Sequence, residues 1–415
     1  MESIVRDQIV DHMLANNLFS SKQHGFVPNR NCMTNLLTCL EIWTDMIEKG
    51  LPIDIIYTDF AKAFDRVPHQ RLLIKMKMLG IAGKTLSWIE AFLSERQQCV
   101  RVENDCSSWK KVKSGIPQGS VLGPILFVIF INDMPNVVSS MCQLFADDAK
   151  IFRGIQSKDD IKALQKDLER LDAWSEKWQL AFNVDKCKSL HIGGRNTHHK
   201  YQMNGQGLEH IEEEKDLGVL IDQKLDFHRQ AAAAVKKANQ VLGLVKRTFA
   251  TLDKVTLPLL YTSLVRSHLE YGNVIWGPFF RGDILAVEKI QRRATKMIPG
   301  LAQLSYEERL HELQLPSLIH RRRRGDMIQM HKIINGAVDV EKELFVNHQE
   351  SVTRGHNLKL RKTKATKLPR IRAFSNRVIN DWNELPSKVV NATSTNSFKA
   401  EVDSLWQHRM YETPC

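Results

Sequence analysis

Gln143-Leu-Phe-Ala-Asp-Asp-Ala-Lys-Ile-Phe152 sets two adjacent aspartates between two short apolar runs. Runs of this kind flanking a polar pair read as two strands joined by a tight turn, with carboxylates at its tip. Neighbouring side chains on a regular strand point to opposite faces. At a tight turn, Asp147 and Asp148 can instead be aimed at one point in solvent, where they repel unless a cation lies between them. Hard carboxylate oxygens suit Mg²⁺, which keeps part of its water and shares its remaining positions with substrate phosphates. Aspartate is also a good turn former, so the hairpin taken alone is equally satisfied by a solvated turn.

Working outward, Ile53-Asp-Ile-Ile-Tyr-Thr-Asp-Phe60 reads as a buried strand ending at Asp59, a second carboxylate at a strand end. Residues 61–67 then lead into a helical stretch at 69–79. Between the two acidic sites, Ser114-Gly-Ile-Pro-Gln-Gly-Ser-Val-Leu-Gly-Pro124 places three glycines and two prolines ahead of the apolar run Ile125 to Ile131. Glycines at such a turn let backbone approach a ligand closely. Arg96–Val102 and Ser108–Val112 read as a strand pair feeding this turn. Residues 31–49, ending at Gly50, form an amphipathic helix. Ile161, Leu164, Leu168, Leu171, Trp174 and Trp178 recur at helical spacing behind the start signal Ser157 with Asp159-Asp160, and are read as core. The stretches 231–249 and 253–271 are helical in pattern, as is most of 301–347. The chain then loosens before a last amphipathic piece at Phe374 to Leu385.

Strand-aspartate, glycine-rich turn into an apolar helix, then hairpin Asp-Asp is the order found in a polymerase palm, and the wording makes the likeness specific. Tyr57-Thr-Asp-Phe-Ala-Lys-Ala-Phe-Asp65, Gly115-Ile-Pro-Gln-Gly-Ser-Val-Leu-Gly-Pro124 and Phe145-Ala-Asp-Asp148 resemble motifs A, B and C of a reverse transcriptase, nearest in wording to the jockey-like non-LTR retrotransposons (LINE elements). Gln23-His-Gly-Phe-Val-Pro-Asn-Arg30 resembles the fingers motif of that family, and Asn183-Val-Asp-Lys-Cys-Lys188 its motif D. The likeness therefore runs in order over residues 1–230.

The resemblance implies an α+β right-hand polymerase with fingers, an antiparallel palm sheet backed by helices, a helical thumb and a mainly helical basic carboxy-terminal region. Expected boundaries are 1–52 for partial fingers, 53–230 for the palm, 231–300 for a thumb-like region and 301–415 for the basic region. It also implies an RNA-directed DNA polymerase using two Mg²⁺ ions, with Mn²⁺ as a substitute. The partners are an RNA template, a DNA primer and deoxynucleoside triphosphates, with protein partners undefined. Asp59 and Asp147 are the implied bridging metal ligands, Asp148 supports them, and the carbonyl of Phe60 adds a ligand. Phe64 is the implied gate against a ribose 2′-hydroxyl, with core packing as its alternative. Gln118 and Gly119 lie against the incoming nucleotide. Lys186 is the implied proton donor to pyrophosphate, a solvated lysine being the alternative. Arg30 is the nearer residue for triphosphate contact, because Val27 stands where relatives often carry a polar side chain. Asp65 is expected to be structural, and His24 a loop or packing residue without zinc partners.

The chain opens at Met1-Glu-Ser-Ile-Val, inside what resembles the fingers helix, so upstream fingers segments and any endonuclease domain are expected to be missing. That leaves a catalytically inactive nucleic-acid-binding remnant as the competing reading. A metal-dependent nuclease is disfavoured, since no His or Lys general base stands at suitable spacing.

Composition narrows the setting. With 43% hydrophobic residues over 415, the chain can bury two or three cores. Seven cysteines without a Cys-x-x-Cys indicate reduced thiols rather than a disulfide framework or zinc knuckle. No signal peptide is evident, and the longest apolar run, Val121 to Ile131, is too short for a bilayer, so an intracellular site without membrane contact is expected. The net charge of +12 is uneven: residues 1–230 carry 29 Lys+Arg against 30 Asp+Glu, and 231–415 carry 30 against 17. Arg321-Arg-Arg-Arg324 and the stretch Arg354 to Arg372, with eight cations and no acid, suit a phosphate backbone, with a solvated loop or an import signal as the alternatives.

Overall fold

The aspartate hairpin is built into a five-stranded sheet. The computed structural model describes residues 1–249, 251–346 and 355–413. By internal contacts it divides into two compact units, Met1–Asn35 with Leu51–Glu212, and Leu36–Gly50 with Glu213–Cys415.

In the first unit, α1 (Glu2–Ala15) and the start of α2 (Cys32–Glu48) precede β1 (Ile53–Thr58). Helices α3 (His69–Met78), α4 (Gly83–Leu93) and α5 (Gly123–Ile131) follow. Then come β2 (Met141–Phe145), β3 (Asp148–Gly154), α6 (Lys158–Trp178), β4 (Lys188–Ile192) and β5 (Glu209–Ile211). The strand order is β5-β4-β1-β3-β2. Central β1 runs antiparallel to both β3 and β4, and β2 and β3 form the hairpin. Its near-continuous apolar run is what a strand covered on both faces requires, and Ile53, Ile55 and Ile56 are fully buried. One edge departs from the antiparallel expectation, because β5 pairs parallel to β4. The connection across residues 193–208 is long enough to return the chain in the same direction.

The helices follow their patterns. Helix α5 is apolar on every side and buried from Ile125 through Ile131, as a helix without a polar face must be. Ser157 caps α6 in a reciprocal capping box with Asp160, and Leu164, Leu168, Leu171, Trp174 and Trp178 are buried in the core shared with α5. Lys75 of α3 is buried there as well. Its Nζ bonds Asp133 and the Phe130 carbonyl, both at 2.5 Å, and lies 3.9 Å above the Trp178 ring. Burial brings its pKa down to about 8.

Three expectations are corrected. The strand pair before the glycine-rich turn shrinks to Gln97–Gln98 with Lys110–Lys111 and Arg101–Val102 with Asp105–Cys106. All eight paired residues are exposed, so no buried face fixes a longer ladder. The helical stretch after 300 resolves into Tyr306–Glu312 and Leu318–Ile334, and stops there rather than near 347, Gly336 just beyond it taking a left-handed φ of +67°. The last helical piece is two short helices, Phe374–Arg377 and Ile379–Asn383, and Thr395–Leu405 forms a further helix that periodicity did not single out.

The second unit is helical apart from the hairpin of Glu213–Asp216 and Val219–Asp222. Its longer helices are α7 (His228–Thr248), α8 (Arg281–Thr295), α9 (Leu318–Ile334) and α10 (Thr395–Leu405). The stretch expected at 253–271 is helical from Thr256 to Glu270, with a wide π turn at Tyr261–Val265. The six described cysteines are free thiols, and Cys415 lies outside the described residues. Among the described residues, no helix is long and apolar enough to cross a membrane.

Candidate active site

The register of the sheet brings the acidic residues together. Thr58 of β1 pairs with Ala149 of β3, so Asp59, one residue further, lies at the same sheet end as the turn closed by Phe145 pairing with Asp148. Asp59 is half-buried, and its Oδ2 is a buried oxygen without a hydrogen-bond partner. Burial first, and then the charge of Asp59, raise the Asp147 carboxyl above its ordinary pKa. The register thus places both residues at one end of the sheet. Asp148 is exposed at the rim. Among the described residues, the one trio of His, Cys or acidic side chains whose ligand atoms all lie within 4.8 Å is not these aspartates but His191, His198 and His210.

The backbone behind Asp59 is braced by the segment that resembles motif D. Asn183 N–H donates to the Asp59 carbonyl at 2.7 Å and Ala61 N–H to the Ala181 carbonyl at 2.8 Å. These bonds flank Phe60, whose carbonyl takes no part in them, and its ring stacks on Phe182 with centroids 4.6 Å apart. The same segment brings Lys186 Nζ to 3.5 Å from Asp59 Oδ2, with the lysine side chain largely exposed. Cys187, next to it, is buried, and burial pushes its thiol up to about 11.

The glycine-rich turn docks on the short helix Ala63–Arg66. Gly115 N–H donates to the Val67 carbonyl and Ile116 N–H to the Phe64 carbonyl. A Cβ on Gly115, at φ +95°, would stand 2.6 Å from the Asp65 carbonyl oxygen, so this position requires glycine. Gln118 Nε2 donates to Asp65 Oδ1 at 3.0 Å, giving Asp65 the structural role expected of it. Gly119 is exposed, with nothing within 4 Å of where a Cβ would stand. Phe64 is half-buried and stacks on Phe127 of α5, centroids 4.7 Å apart.

Arg30 is the predicted site residue whose surroundings differ most from the expectation. Its Nη1 donates to the carbonyls of Ser20 and Gln23, both at 2.7 Å, and so braces the loop before α2. Val27 is buried, and His24 bonds Thr34 Oγ1 at 2.8 Å as a packing residue. Gln23 is a site residue that sequence reasoning missed. Its Oε1 accepts the N–H groups of Ala146, at 2.9 Å, and Gly25, at 2.7 Å, holding the aspartate turn from outside. Gly25 approaches so closely that a Cβ there would lie 2.4 Å from Ala146 N. The fingers-like wording of Gln23-His-Gly was the available signal.

The fold thus sets two carboxylates at one end of a hairpin sheet, with a glycine-rich turn beside them and a lysine behind. Residues 1–241 match the family described as reverse transcriptase (RNA-dependent DNA polymerase), and the chain belongs to that family. It is 29% identical over 259 residues to the RNA-directed DNA polymerase from mobile element jockey of Drosophila melanogaster, covering 59% of this chain and 28% of that protein. It is 25% identical over 350 residues to the probable RNA-directed DNA polymerase from transposon X-element of the same species, covering 80% and 38%. The matched region thus spans about a third of these curated relatives. Apo telomerase from Candida tropicalis overlaps 75% of this chain and 54% of its own at 13% identity, with a TM-score of 0.43.

Proposed function

We propose that this chain carries the polymerase core of a retrotransposon RNA-directed DNA polymerase, adding deoxynucleotides to a primer 3′-hydroxyl on an RNA template. The observation that carries the reading is the carboxylate pair. Asp59 presents a buried oxygen without a hydrogen bond, 3.5 Å from the largely exposed Lys186 ammonium, at the same sheet end as the Asp147 turn. Carboxylates gathered at one sheet end repel one another unless cations lie between them, and their hard oxygens fit Mg²⁺ or Mn²⁺. Asp59, Asp147 and the Phe60 carbonyl would hold two such ions, with Asp148 in support at the rim. When bound, divalent cations acidify the attacking hydroxyl and neutralise charge on the leaving phosphates.

The other residues position the reactants. Phe64, fixed against Phe127, excludes a ribose 2′-hydroxyl. Gly119 leaves backbone open to the incoming nucleotide, and Gln118 steadies that turn through Asp65. Lys186 balances Asp59 and delivers a proton to pyrophosphate. Arg30 shapes the loop before α2, with triphosphate contact the lesser part of its role. In this reading residues 1–52 belong to the fingers, 53–230 to the palm, 231–300 to a thumb and 301–415 to a basic region. The names of the relatives and the ordered motifs support it.

Primer extension on an RNA template with Mg²⁺ is the test. Asp147→Asn should abolish extension, because losing one bridging carboxylate removes several kcal/mol of transition-state stabilisation. Extension surviving that change overturns the assignment. Wild-type protein that binds RNA yet extends no primer supports the noncatalytic remnant.

A further inference from the structure

About 16 Å along β1 from Asp59, counting five residues at the rise of a strand, a second constellation stands in the same unit. Asp54 pairs in register with His191 of β4, and His210 of β5 pairs with Ser189 of the same strand. His198 comes from the loop between them. Ring centroids of His191, His198 and His210 lie 4.8, 5.1 and 5.3 Å apart, and the ligand atoms of all three fall within 4.8 Å of one another.

The buried member is organised as a metal-ligating histidine is. His191 is 1% exposed, and its Nδ1 lies 2.6 Å from Asp54 Oδ1. Asp54 is fully buried and also accepts from Asn196 Nδ2 and Tyr201 Oη, each at 2.6 Å. With donors from Asn196 and Tyr201 already on it, Asp54 is placed to act as the acceptor for His191. A carboxylate accepts, so in this arrangement the Nδ1–H of His191 donates to it. That leaves Nε2 as the ring's available ligand atom, and this atom is buried with no hydrogen-bond partner. Carboxylate to Nδ1–H, with Nε2 turned to the metal, is the arrangement that fixes the tautomer and raises ligand basicity in metal sites.

We infer that His191, His198 and His210 form a binding site for a divalent transition cation, Zn²⁺ foremost, with a fourth position left for water. Neutral imidazoles suit Zn²⁺, and a three-histidine set with an open position is one of its regular arrangements. Tetrahedral bonds of about 2.0–2.1 Å place ligand nitrogens about 3.3 Å apart, so the rings must draw in from their present spacing. His198 and His210 are both exposed, one on a loop and one on an edge strand. Asn196 already ties that loop down, bonding the Ile53 carbonyl and Asp54 while its Oδ1 accepts the His198 N–H. Occupied, the site clamps the loop and β5 to the centre of the sheet.

The test uses untagged full-length protein, stripped with chelator and titrated with Zn²⁺ and, as a spectroscopic probe, Co²⁺. One equivalent should bind tightly, with the visible bands of tetrahedral Co²⁺ and a zinc K-edge spectrum of nitrogen ligands without sulfur. His198→Gln and His210→Gln, both at exposed positions, should each weaken binding at least 100-fold with unchanged circular dichroism. Asp147→Asn should keep the full equivalent, which separates this site from the polymerase carboxylates. Sulfur in the K-edge spectrum, pointing to the free thiols, or a double His198→Gln/His210→Gln variant that binds as tightly as wild type, overturns the proposal.

Discussion

Ala146 carries the left-handed backbone of the aspartate turn at φ +52°, and its N–H is received by a side chain more than a hundred residues away in sequence, Gln23. Gln23→Ala leaves two buried N–H groups without an acceptor, which costs about 1–3 kcal/mol. It should also lower kcat for primer extension more than it raises KM, because the turn aims Asp147 rather than binding substrate. Urea denaturation and steady-state kinetics check both. A stability loss with kcat unchanged would mean that Gln23 merely holds the fold. Phe64 allows a second comparison at this scale, since its ring is packed on one side by Phe127 and is only half-buried. Phe64→Val should leave extension measurable while raising ribonucleotide incorporation; unchanged discrimination between the two nucleotide types would reduce Phe64 to core.

Helix α6 shows how an element is held across the sheet it backs. Asp167, fully buried on it, accepts the N–H groups of Ser139, at 2.9 Å, and Ser140, at 2.7 Å, just before β2. Burial raises its pKa, but hydrogen bonds from Ser139 and Ser140 outweigh that and lower it. A lowered carboxylate contributes stability that is present above its unfolded value, about 3.9, and is lost as pH falls through the folded value. Asp167→Asn should therefore be less stable at pH 7 and show a flatter loss of stability into acid, the two proteins converging at the acid end. Denaturation midpoints from pH 7 to pH 2.5 measure this, and parallel curves would refute it. At the amino-terminal end of the same helix, Ser157→Ala removes the cap and costs about 1 kcal/mol.

Across the whole molecule, the positive excess of residues 231–415 is less available than its count suggests. Arg321 pairs with Glu270 at 2.9 Å, Arg323 with Asp381 at 3.0 Å and Arg324 with Asp403 at 2.7 Å. Three arginines of the run are thus part of how α9 is held, which leaves them less available to a phosphate backbone. In the basic stretch, Arg370 bonds the buried Glu41 at 2.6 Å and Arg372 lies over the Phe280 ring at 4.0 Å. Arg354 lies outside the described residues, and Arg361, Lys362 and Lys364 are exposed. Changing these three to Gln should flatten the log–log salt dependence of RNA affinity by up to about 2 units, at 0.7 per phosphate on single strands. Arg323→Gln should lower the melting temperature and leave that slope alone. Slopes measured by fluorescence anisotropy decide the matter: if the triple change leaves the slope intact, this stretch does not hold RNA.

The sequence by itself determined the local elements and the chemistry they carry. Period-two and apolar runs specified the aspartate hairpin and central β1, unbroken hydrophobicity specified buried α5, and a capped heptad-like stripe specified α6, because these signals act between residues close along the chain. Asp59, Asp147, Phe64 and Lys186 were legible through motif wording for the same reason. Only the tertiary structure decided what depends on pairing distant segments. Gln23 could not be matched to the Ala146 turn without the approach that Gly25 permits. The arginine run could not be assigned to ion pairs without partners 51 to 79 residues away. His191, His198 and His210 have no zinc-like spacing in sequence, and become a cluster because one antiparallel register sets Asp54 beside His191 and one parallel register returns His210 to the same strand.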